Sequence, residues 1–394
     1  MKRCLTVVLL VLSLSLCGCS YFEYVTPELE EQPSETEAVV REELDEGDIY
    51  PFYNSLTNWE KNVYIKICDA IENFETEGFQ IDAYDSKAEC DEAIERIEDI
   101  YAMLVYEHPE YFWVNLSEYQ TEIWSRGERY YLKLKMSYLM DEAEAEAKQD
   151  ELNLAVDRIV QGAQMQANTF ERVLYVYDEI LKNVVYDEAL VVSTETAEVG
   201  RSAYGCLVQG KTVCSGYSLA FNLIMQKLGY QVGAEFDVHC ETELAQGHVW
   251  NYAKLDGEYY YFDLTWDDIA MSAQEGVPFS EYTHQYFGIT KEELRATHDL
   301  SEKVMTPPCL GTTYDYFKFR NLYTDVYDYK VVKQILRGQE GQKMLAVKFG
   351  SQEECARAEQ DLIENQRIFD IYKDAESFYY VMSESKRHLY IMFS

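Results

Sequence analysis

The pair Asp256-Gly257 constrains this chain more than any other feature. It stands in Leu255-Asp256-Gly257-Glu258 between two runs rich in apolar residues. An Asp-Gly pair in that setting favours a two-residue hairpin turn of type I′, with both central residues at positive φ. Such a turn fixes the register of its flanking strands, so that residue i faces residue 513 − i. His248 then lies opposite Thr265 and Asp263 opposite Trp250, and positions two apart along a strand point the same way. His248 and Asp263 become diagonal neighbours on one face, about 7–8 Å apart between backbones and within side-chain reach. An aspartate there can accept the proton of one imidazole nitrogen and leave the other to face a nucleophile.

Cys214 is the candidate nucleophile. Tyr217 to Leu228 is apolar nearly all round and ends at Gly229, which reads as a buried central helix with a glycine stop. Cys214 sits at its N-terminus, where backbone N–H groups and the helix dipole favour a thiolate. Alone, a cysteine at a buried helix end is more often packing than chemistry; the His–Asp pair supplies the partners. Tyr204, polar and just upstream, is the candidate side-chain donor of an oxyanion hole, beside the backbone N–H of Cys214. Trp250 and Trp266 read as walls of the site. His239, Cys240 and His298 read as structural, since none shows the paired spacing of a metal site, and no cofactor or metal is expected.

One rival motif needs weighing. Gly205-Cys206-Leu207-Val208-Gln209-Gly210-Lys211-Thr212 fits the phosphate-binding pattern G-x-x-x-x-G-K-[ST] letter for letter. That loop requires a buried strand directly before its first glycine, and Thr196 to Tyr204 does not read as one. A nucleotide-binding protein is therefore the remote alternative, and a non-catalytic module that holds peptides in the same cleft is the nearer one.

The motifs Tyr-Gly-x-Leu-x-x-Gly-Lys-x-Val-Cys-x-Gly-Tyr around Cys214, Gly-His-x-Trp-Asn around His248 and Tyr-Tyr-x-Asp-x-Thr-Trp-Asp around Asp263 resemble the transglutaminase-like superfamily. The resemblance is to its bacterial branch, related to kyphoscoliosis-type peptidases and fungal cytokinesis proteins, and it covers roughly residues 168–298. Pro109-Glu110-Tyr111-Phe112-Trp113 also resembles the helical domain that precedes the core in clostridial lipoproteins of this kind. The resemblance implies an α+β, papain-like core, with a helix carrying Cys214 packed on an antiparallel sheet carrying His248 and Asp263. It also implies thiol acyl chemistry on protein amide bonds, either peptide hydrolysis or acyl transfer from glutamine to an amine.

The flanks divide by composition. Lys2 and Arg3 precede an apolar run, Leu5 to Leu16, too short to span a bilayer and placed like the core of a signal peptide. Leu16-Cys17-Gly18-Cys19 resembles a lipobox, which would make Cys19 the lipid-attached N-terminus after removal of residues 1–18. Residues 19–49 are acidic, poor in apolar side chains and read as a tether. Residues 50–167 read as a mainly helical domain, 168–305 as the catalytic domain and 306–394 as a small α+β domain. In the first of these, Thr57-Asn58-Trp59-Glu60 and Ser86-Lys87-Ala88-Glu89 have the form of capping boxes. Tyr111 to Val114, Thr121 to Trp124 and Arg129 to Leu134 read as strands, the last two joined by a turn near Gly127.

A net charge of −37, or −39 once the leader takes Lys2 and Arg3 with it, disfavours nucleic acid and anionic membrane surfaces as partners. The expected partners are a protein or peptide substrate in the cell envelope and, through the lipid on Cys19, the outer face of the cell membrane. Six further cysteines, Cys68, Cys90, Cys206, Cys240, Cys309 and Cys355, suit either disulfides or buried thiols.

Overall fold

The computed structural model of the protein describes residues 21–22, 49–116, 118–191, 198–237, 247–268, 282–300, 306–383 and 385–393. The leader, Cys19, most of the tether, His239 and Cys240 lie outside these residues. No helix among those described is long and apolar enough to cross a membrane.

Local signals set most element ends. Thr57 accepts the Glu60 N–H and Glu60 returns a carboxylate oxygen to the Thr57 N–H at 2.7 Å, a complete capping box on helix Asn58–Glu72. Ser86 caps helix Lys87–Glu107 in the same way, but Glu89 turns its carboxylate to the Asp85 N–H at 3.0 Å, so only half of that expected box forms. The helix stops at Glu107, one residue before the Pro109 restriction takes hold. Residues 111–114 make turns and a single bridge from Val114 to Tyr138 instead of the expected strand; their rings pack on Phe74 and His108. Strands Gln120–Arg126 and Arg129–Lys135 form the expected hairpin. A strand that sequence reading missed, Phe79–Tyr84, pairs with the second of them, and Tyr21–Phe22 pairs in parallel with the first. The segment 50–167 therefore carries a sheet as well as helices.

Asp141 and Asn168 cap helices Glu142–Gln164 and Thr169–Asn183, which lie against each other and against helix Cys214–Lys227. The central sheet is antiparallel throughout, in the order Phe287–Ile289, Glu258–Phe262, Val249–Leu255, Val232–Phe236. One hydrophobic cluster runs without a break from Leu56 through the helix of Cys214 to Phe287. The C-terminal part has its own sheet, Tyr323–Thr324, Met344–Phe349, His388–Phe393 and Phe378–Met382, and its own cluster from Val332 to Ile391. Five of the six further cysteines are buried thiols, and no two described cysteines are bonded; burial pushes Cys206, Cys309 and Cys355 upward in pKa, the last two to about 12.

Candidate active site

The hairpin forms as its turn requires. Asp256 has φ +47° and Gly257 φ +95°, and the ladder pairs Asn251 with Phe262, Tyr252 with Tyr261 and Leu255 with Glu258. The register leads on to Asp263, the first residue past the strand and the N-cap of the short helix Leu264–Asp267. His248 precedes the other strand, and its carbonyl is gripped by the Asp237 N–H at 2.9 Å. His248 Nε2 lies 2.7 Å from Asp263 Oδ2. A carboxylate oxygen only accepts, so Nε2 carries the proton and Nδ1 is left for the thiol.

Cys214 opens helix Cys214–Lys227, whose N-cap, Val213, offers no capping side chain. The first-turn N–H groups are thus not taken by a cap, the arrangement that stabilises an anion. The approach to Cys214 is locked from three sides. Val185–Tyr186 pairs in parallel with Lys211–Thr212, Thr212 Oγ1 donates to the Gly200 carbonyl at 2.6 Å, and Ser215 Oγ donates to the Arg201 carbonyl at 2.9 Å. Gly210, at φ +69°, makes the left-handed turn before that strand. The Cys214 side chain is partly exposed, unlike the other described cysteines, and lies close enough to the His248 ring to raise its pKa.

Burial would lower the His248 pKa, but the Asp263 charge, its hydrogen bond and the contact with Cys214 raise it to about 10. Burial likewise opposes ionisation of Asp263, yet the His248 charge and hydrogen bonds from His248 and His298 hold its carboxyl well below the usual range. Burial first, and then the neighbouring Cys214, raises the Tyr186 hydroxyl to about 12. The His248 ring stacks on Trp266 at 5.7 Å and tilts against Trp250 at 5.6 Å, so the two tryptophans wall the imidazole as expected.

Two expectations change. Tyr204 donates its hydroxyl to Glu151 on helix Glu142–Gln164, and its ring stacks on Phe112 at 5.1 Å. That hydroxyl is engaged in packing between helices, and nearness to Cys214 in sequence did not reveal its direction. His298, read as structural, has Nε2 2.9 Å from the same Asp263 oxygen that His248 uses. No spacing signal marks it, since it lies 35 residues beyond Asp263. His248, Asp263 and His298 are the one group of three candidate metal ligands among the described residues. Their contacts of 2.7 and 2.9 Å have hydrogen-bond lengths, and protons satisfy both.

The segment Gly205–Thr212 is a π-helical turn and a two-residue strand preceded by the 3-10 turn Glu198–Arg201. A phosphate-binding loop needs a buried strand there. Lys211 is half-exposed and pairs with Asp187 at 3.1 Å.

A thiol at an uncapped helix N-terminus, near an imidazole oriented by a buried carboxylate, thus stands on an α+β fold with an antiparallel central sheet. Residues 155–264 are similar to the transglutaminase-like superfamily. The match begins inside helix Glu142–Gln164. Among solved structures, the chain is similar to a TGase at 12% identity, covering 43% of this chain and 48% of that one, with a TM-score of 0.28. It is also similar to a candidate cysteine protease from Cytophaga hutchinsonii at 13% identity, covering 38% and 62%, with a TM-score of 0.23. The chain spans about half the length of the first of these and less than two thirds of the second. No curated protein matches.

Proposed function

We propose that this protein is a thiol enzyme acting on protein amide bonds through Cys214, His248 and Asp263. The observation that carries the reading is the 2.7 Å contact between His248 Nε2 and Asp263 Oδ2, with Cys214 close enough to the ring to raise its pKa. The Cys214 thiolate attacks the amide carbonyl, forming a C–S bond, and first-turn N–H groups of its helix receive the developing oxyanion. Imidazolium His248 gives its Nδ1 proton to the departing amine as the C–N bond breaks. Water then hydrolyses the thioester, or an amine takes the acyl group. A peptide-holding module without turnover is the second reading.

Iodoacetamide should modify Cys214 faster than any other cysteine near neutral pH, and His248→Ala should slow it at least tenfold. Equal reactivity at all cysteines would sink the assignment. Cys214→Ala should abolish turnover of peptide or amine substrates, whereas Lys211→Ala should leave it nearly intact. Micromolar ATP binding lost in Lys211→Ala would favour the nucleotide reading instead.

The same proposal extends to placement: export, and anchoring to the outer face of the membrane by lipid on Cys19. Its support is Leu16-Cys17-Gly18-Cys19 after the short apolar run. Labelled fatty acid should enter the protein in bacteria and be lost in Cys19→Ala; label retained in that variant would move the attachment to Cys17.

A further inference from the structure

The carboxylate oxygen that orients His248 has a second client. Asp263 Oδ2 accepts from His248 Nε2 at 2.7 Å and from His298 Nε2 at 2.9 Å. The His298 side chain is fully buried and meets Trp266 at 4.3 Å, Trp250 at 4.7 Å and the His248 ring at 5.6 Å between centroids. Its Nδ1 is 2.9 Å from Thr297 Oγ1, which lies 3.2 Å from the Tyr286 hydroxyl and 3.3 Å from the Leu294 carbonyl.

These contacts have a direction. Nε2 of His298 must donate, because the carboxylate oxygen cannot. Nδ1 of a neutral ring then accepts, so Thr297 turns its single O–H to that nitrogen in place of the Leu294 carbonyl, which already receives two backbone N–H groups, and its oxygen receives the Tyr286 O–H. The chain runs from Tyr286 to Thr297 to His298 to Asp263, and His248 reaches the same oxygen from the other side. Two N–H dipoles therefore divide one carboxylate lone-pair region. A buried carboxylate with one donor fewer pulls harder on the proton of the remaining donor.

We propose that His298 is a positioning residue of the thiol site, which fixes Asp263 and weakens its hold on His248 so that the imidazolium can release its proton to the leaving amine. The inference rests on the triad reading above. The other ionisable groups around the network are Cys214, Tyr186 and Arg201 on the thiol side, with Tyr177, Asp267 and Tyr286 behind Asp263. None of them donates a side-chain hydrogen bond to Asp263 Oδ2.

The test measures alkylation of Cys214 by iodoacetamide against pH in the full chain, alongside turnover of any accepted peptide. In His298→Leu the imidazolium is held more tightly, which stabilises the thiolate. The acid limb of the alkylation profile should move down by about half a pH unit, raising the rate on that limb roughly threefold. Turnover should fall up to about threefold, because the same imidazolium is a poorer acid by that half unit. Damage to the structure alone would lower both rates. His298→Gln keeps an N–H near the Nε2 position and should restore both. Should His298→Leu not fold, Thr297→Val decides: it removes the donor to Nδ1 and should move the limb the same way by a smaller amount. An unmoved limb, or one moved to higher pH, with Cys214 still selectively reactive in the parent protein, overturns the role of His298 alone. A parent protein without selective Cys214 reactivity overturns this inference and the triad together.

Discussion

Asp263 has a partner at every polar atom. Oδ2 serves the two imidazoles, Oδ1 accepts the Trp266 N–H at 3.1 Å, the backbone oxygen accepts the Tyr177 hydroxyl at 2.8 Å, and the backbone N–H reaches the Tyr286 carbonyl at 3.2 Å. In Asp263→Asn one former acceptor becomes an NH₂ group facing an N–H donor, either the imidazoles or Trp266. Turnover should fall by on the order of 10⁴-fold through the wrong tautomer of His248, with little volume change to disturb the fold. A loss under tenfold, measured on a variant with parental thermal stability, would remove Asp263 from the mechanism. The pH dependence of folding has a sign as well. His248 has a folded-state pKa of about 10 against about 6.5 unfolded, so it contributes stability that is full below the latter and lost as pH rises through the former. Stability should decline between pH 7 and 10, and His248→Ala should flatten that decline in denaturant titrations. At this scale the sequence was legible where geometry is local: an Asp-Gly turn carried His248 and Asp263 together. It did not bring His298, read there as structural, to Asp263, since that residue arrives through a separate strand and short helix, and it did not give the direction of the Tyr204 hydroxyl.

The element that places the thiol depends on a close approach. A Cβ built on Gly216, in the first turn of helix Cys214–Lys227, would lie 1.9 Å from Thr212 Oγ1 and 2.9 Å from the Ser202 carbonyl. Thr212 cannot swing aside cheaply, because its hydroxyl is bonded to Gly200 and its strand pairs with Val185–Tyr186. Gly216→Ala gains helix propensity but should cost about 1–3 kcal/mol net by overpacking and displace Cys214 from His248. Stability within 0.5 kcal/mol of the parent, with unchanged Cys214 alkylation, would show that the first turn has room to spare. Elements with strong ends carry their signals in the sequence: Asn168 caps Thr169–Asn183 and Asp141 caps Glu142–Gln164. Strands Val232–Phe236 and Phe79–Tyr84 were not. The first is buried along nearly its whole length, and the second contains a bulge at Ile81, so neither shows an alternating pattern.

Across the whole molecule, the C-terminal sheet supports the site by way of a buried cation. Lys348, on strand Met344–Phe349, is 1% exposed; its ammonium pairs with Asp315 and lies 2.9 Å from Glu293. Glu293 belongs to the capped helix Lys291–Leu294, and the Leu294 carbonyl receives the N–H groups of both Thr297 and His298 at 3.0 Å. The cation thus holds the segment that delivers His298 to Asp263. Burial opposes ionisation of Glu293, but Lys348 lowers its pKa to about 2. Its folded-state value is depressed, so the stability it contributes is present above the ordinary carboxylate range and lost as pH falls through about 2. Lys348→Met leaves two carboxylates without their cation and should cost about 3–5 kcal/mol at pH 7. The cost should shrink toward pH 3, where in the variant the Glu293 carboxyl, no longer held down by the ammonium, takes up a proton. In urea titrations, a loss below 1 kcal/mol that does not change with pH would mean that the trio is neutral in the balance of folding. The same variant should shift the acid limb of Cys214 alkylation in the direction expected of His298→Leu, since Glu293 and His298 lie on one short segment. A large loss of stability with an unmoved limb would separate the two and confine the C-terminal sheet to a structural role.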